Sequence, residues 1–115
     1  MKTPDDIQRD IDDLLLQYKD AVNFLDGPRM RKTEKSLNLH RQYKRYAQTL
    51  PSQKFLEEEL KRLQKRLQFI LDGYDSWLKH NQIPTSVKNP QKLYESEMDV
   101  PKIKSQIKSM EYLLG

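Results

Sequence analysis

The sequence predicts an all-α protein: an elongated antiparallel helical bundle of three long helices plus a short C-terminal helix, joined along coiled-coil-like seams. Apolar residues recur in alternating steps of three and four in separate stretches, most regularly at Leu56, Leu60, Leu63, Leu67, Ile70, Tyr74 and Trp77. The breaks at Gly27-Pro28 and Leu50-Pro51 are short, which favours antiparallel neighbours within one chain. With 115 residues, 33% of them charged and 36% hydrophobic, the chain has material for one thin core, so a single domain over residues 1–115 is expected.

The first helix is expected over residues 4–26. Thr3-Pro4-Asp5-Asp6 supplies a hydroxyl cap, a proline whose missing N–H does no harm, and acids against the positive end of the dipole. Its seam is Ile7, Ile11, Leu14, Tyr18, Ala21 and Leu25, and Gly27-Pro28 reads as its stop. Residues 29–36 carry one large apolar side chain, Met30, and their state is left open. A second helix follows over 37–50, with Leu39, Tyr43, Tyr46 and Leu50 on one face and Arg41, Lys44 and Arg45 on its back.

The third and longest helix is expected over 52–81, with Glu57/Lys61 and Glu58/Arg62 as supporting pairs in the favourable order. Gly73 is its soft point, but the seam keeps register across it, so the helix reads as continuous with room for a kink. Unbroken it would be about 45 Å long, so its overhanging Tyr74 and Trp77 need cover from the C-terminal segment or another subunit. Residues 82–99 form the clearest linker, within which Asn89-Pro90 offers a cap for a short helix through Glu97. Val100, Ile103, Ile107, Met110 and Leu114 define the last helix, over 100–114.

Composition bounds the chemistry. There is no cysteine, hence no disulfide, thiolate nucleophile or cysteine zinc site. His40 and His80 lack metal-ligand spacing, and the three glycines do not build a phosphate loop. Neither HExxH nor a serine elbow occurs. Asp6, Asp10 and Asp13 share a flank of the first helix and with Asp5 and Asp12 could hold a hard cation or a basic partner, but the glycine turn of a calcium loop is absent. The expectation is therefore a protein that is not an enzyme, with no cofactor, metal or small-molecule substrate. Lacking a long apolar run or a secretory signal, it is expected to be soluble and cytoplasmic, with no membrane partner.

Charge is the main functional clue. The net charge is +4, yet residues 1–26 carry −4 and residues 27–54 carry +7. Arg29, Arg31, Lys32, Lys35, Arg41, Lys44 and Arg45 could release counterions from a phosphate backbone or meet an acidic protein surface. The competing expectation is that the acidic first helix lies against this segment and neutralises it. Function is thus read as non-catalytic binding of nucleic acid or an acidic protein surface through the basic second helix. The alternative is a structural or adaptor coiled-coil protein acting through its apolar seam, by homodimerisation or by taking a partner helix, with Tyr74, Trp77 and Leu78 as interface.

Overall fold

The computed structural model describes residues 1–115 and contains six helices and no strand. Helix α1 (Pro4–Asn23) opens with a reciprocal cap: the Asp6 N–H donates to the Thr3 hydroxyl at 3.2 Å and the Thr3 N–H to the Asp6 carboxylate at 2.9 Å. Ile7, Ile11 and Ala21 are buried, and Leu14 and Tyr18 half-buried, as the seam requires. The helix stops three residues short of Asp26. Leu25 enters the left-handed region (φ 52°) and the Asp26 N–H donates to the Ala21 carbonyl at 2.9 Å, closing the end and leaving Leu25 outside the seam, 86% exposed.

Gly27-Pro28, expected as a stop, opens α2 (Gly27–Ala47) instead. The Asp26 carboxylate accepts the Arg29 N–H at 3.1 Å, and proline costs nothing in a first turn. Residues 29–36 are therefore helical. The inward face runs Thr33, Leu37, His40, Tyr43 and Ala47, so Leu39 turns outward, 40% exposed; the helix ends at Ala47 rather than at Leu50, which lies past it at φ 55° and is 83% exposed. Two polar residues on that face satisfy themselves within the helix. The Thr33 hydroxyl donates to the Arg29 carbonyl at 2.8 Å, and His40 Nδ1 bonds the Ser36 carbonyl at 2.7 Å.

Packing divides the chain into two units, Met1–Gln53 with Tyr112–Gly115, and Lys54–Glu111. In the first, α1 lies antiparallel along α2. Asp10 accepts from Lys2 Nζ (2.8 Å) and from the Tyr112 hydroxyl (2.5 Å), while the Tyr112 ring stacks on Tyr43 with centroids 4.7 Å apart. The Lys2 N–H donates to the Leu113 carbonyl at 2.7 Å, joining the first residues to the last.

The second unit holds α3 (Gln53–Asp72), α4 (Tyr74–His80), α5 (Pro90–Glu97) and most of α6 (Val100–Leu114). Its core gathers Leu63, Ile103 and Ile107, flanked by Leu60, Leu67, Ile70 and Met110. The expected continuous helix over 52–81 is interrupted at Gly73. At the break the Tyr94 hydroxyl of α5 donates to the Ile70 carbonyl at 2.5 Å, an acceptor it shares with the Gly73 N–H at 3.1 Å. A Cβ on residue 73 would stand 2.9 Å from that hydroxyl oxygen, so glycine suits the approach. Helix α5 rises within the expected linker, capped by Asn89 through the Lys92 N–H at 3.1 Å. It supplies the cover that Tyr74 and Trp77 need, with Tyr94 at 5.5 and 5.1 Å between centroids.

Candidate polyanion-binding face of the second helix

All seven cations singled out in the sequence lie on α2. A cap at Asp26 and a proline in the first turn make one helix of the whole segment, and so set the charges on one rigid rod. At about 100° per residue they do not form one stripe. Arg31, Lys35, Arg41 and Arg45 fall on the outward side and are exposed, and Arg29 and Lys32 occupy the first two turns, also exposed. Lys44 departs from the expectation. It stands on the flank toward α1, half-buried, and donates to the Gln8 side-chain oxygen at 2.6 Å.

Arg41, Lys44 and Arg45 converge along one wall of a shallow groove between α1 and α2, whose floor is Ile11 and Leu15. No ion pair joins them to the acids of α1. Ion pairs join Lys2 to Asp10, Arg9 to Asp6 and Arg62 to Glu59, and none includes a cation of α2. Asp6 and Asp10 are committed elsewhere: bonds from Thr3 hold the Asp6 carboxyl below the usual carboxylate range, and bonds from Lys2 and Tyr112 do the same for Asp10. Burial, then the Asp10 bond, push the Tyr112 phenol up.

The tyrosines near the cations are spoken for. Tyr43 is buried between His40 and Tyr112 and presents no open ring face for base stacking, and Tyr46 is half-buried. In the other unit, Tyr74 and Trp77 are half-buried in their cluster with Tyr94, and Leu78 is 38% exposed beside them. Tyr94 is the residue that the pattern of the sequence did not mark, because α5 is too short to show an apolar period and its role depends on Ile70 in another helix. The only forewarning was the Asn89-Pro90 cap.

No group of three or more histidine, aspartate or glutamate side chains is arranged to hold a metal ion, and no helix is long and apolar enough to cross a membrane. Comparison with known proteins finds no matching family model, no matching curated protein and no matching solved structure.

Proposed function

We propose that this chain is a non-catalytic helical binding protein whose second helix docks a polyanionic surface, either the phosphates of a nucleic acid or an acidic face of a protein. One observation carries the reading. Helix α2 packs directly on the acid-rich α1, yet none of its seven cations is in an ion pair. Cations that make no ion pair within the chain stay available to an external polyanion and release its counterions on meeting it. Arg41 and Arg45, exposed and one turn apart, are the centre of that face.

The test is binding of labelled single-stranded and duplex oligonucleotides, and of oligoglutamate, by fluorescence anisotropy across a salt series. The full chain should bind at least one of these polyanions, with an affinity that falls steeply as salt rises. Replacing Arg31, Lys35, Arg41 and Arg45 by glutamine should flatten the salt dependence and weaken binding by at least about tenfold, on the order of 1.4 kcal/mol, with unchanged far-ultraviolet circular dichroism. Lys44 is left in place because it bonds Gln8. Absence of binding to any polyanion at low salt would overturn the reading.

A further inference from the structure

We propose that the groove between α1 and α2 is the seat of an acidic amphipathic helix of a partner protein. This rests on the polyanion reading above and narrows it from charge to shape. The groove, of about 500 Å³, is amphipathic: Arg41, Lys44 and Arg45 form a cationic wall over a floor of Ile11 and Leu15. The apolar strip extends along the same flank of α1, where Leu15 is 43% and Val22, two turns on, 41% exposed. A phosphate backbone gains nothing from Leu15, and Tyr43, which would stack on bases, is buried against Tyr112. A helix gains from both features. Two packed helices offer a third a furrow at ordinary interaxial spacing of about 8–10 Å, and apolar residues at steps of three and four would rest on the exposed Leu15 and Val22.

Charge selects among helices. The wall carries three cations, and the α1 acid on the same flank, Asp12 between Gln8 and Leu15, accepts from the Gln8 side-chain amide at 2.9 Å, while Asp6 and Asp10 are bonded to Thr3, Lys2 and Tyr112. A helix with carboxylates beside its apolar stripe therefore matches the groove, and a basic helix is repelled. The opposite flank of the α1–α2 pair is filled by Lys2, Tyr43 and Tyr112, so this flank is the one that accepts a third helix.

The experiment uses the full chain and four labelled probes in anisotropy titrations. They are a designed helix of about 18 residues (about 27 Å) with leucines at three-four spacing flanked by glutamates, a scrambled peptide of identical composition, oligoglutamate of equal charge, and a single-stranded oligonucleotide. The designed helix should bind at least about tenfold more tightly than the scramble and oligoglutamate. Leu15→Gln, checked for native helicity, should abolish that advantage while leaving oligoglutamate binding in place, and Arg41→Gln with Arg45→Gln should weaken both. Equal affinity for helix, scramble and oligoglutamate would overturn the groove proposal and leave the α2 reading standing, as would binding of the oligonucleotide alone. Failure of every probe at low salt would overturn both.

Discussion

Asp10 shows how one side chain acquires a structural role that its neighbours in sequence do not announce. It accepts from Lys2 and Tyr112 at 2.8 and 2.5 Å, and the Lys2 ammonium also stands 4.0 Å over the Tyr112 ring. These bonds favour the charged carboxylate in the folded state, so its folded pKa lies below its unfolded one. Stability from this source is present above the unfolded value of about 3.9 and is lost as pH falls through the lowered folded value. Asp10→Asn should therefore lower stability at neutral pH, and the gap between variant and wild type should narrow as pH falls below about 4. Urea titrations at a series of pH values measure this, and a gap independent of pH would show that the carboxylate's charge contributes nothing. At the alkaline end the sign reverses. The raised Tyr112 pKa makes a contribution that is present below about pH 10 and lost as pH rises further through the folded value.

Among the elements, those built on an apolar period were legible: Ile7 and Ile11 of α1, Leu56 and Leu63 of α3, and Val100, Ile103 and Ile107 of α6 are all buried where the spacing put them. The first half of α2 was not, because its inward face includes Thr33, a polar residue that a hydrophobic period cannot register. The charge run was visible, but which flank Lys44 takes depends on Gln8 across the helix pair. The break between α3 and α4 was half legible. Gly73 marked the weak point, whereas the side chain that packs against it, Tyr94, lies in another element. Gly73→Ala would gain about 1 kcal/mol of helix propensity but would set a Cβ 2.9 Å from the Tyr94 oxygen. The substitution should therefore destabilise the wild type and become neutral or stabilising in a Tyr94→Phe background, with a coupling of about 1 kcal/mol or more. Tyr94→Phe alone should cost about 1–2 kcal/mol for the lost bond to Ile70. An identical effect of Gly73→Ala in both backgrounds would mean that the hydroxyl does not set the break.

For the molecule as a whole, the contact pattern makes the last residues part of the first unit. Tyr112–Gly115 group with Met1–Gln53, and there the Tyr112 hydroxyl reaches Asp10, its ring stacks on Tyr43, and the Leu113 carbonyl accepts the Lys2 N–H. This unit closes only when the end of the chain has arrived, and contacts so distant in sequence carry a loop-closure cost that slows folding. Deleting Tyr112–Gly115 removes a stacked ring, the buried Leu113 side chain, 4% exposed, and the charge-assisted bond to Asp10. The expected cost is about 3–5 kcal/mol, as for loss of a large buried side chain. It should be visible as a lower urea midpoint by circular dichroism. Trp77, the one tryptophan, lies in the other unit against Tyr74 and Tyr94, so its native emission should be retained in the shortened chain. An unchanged midpoint would show that α1 and α2 hold each other without the terminal residues. If the cost is confirmed, the α1–α2 groove depends on a terminus that contributes no side chain to it, and probe binding should weaken with the deletion even though Arg41, Lys44 and Arg45 are intact.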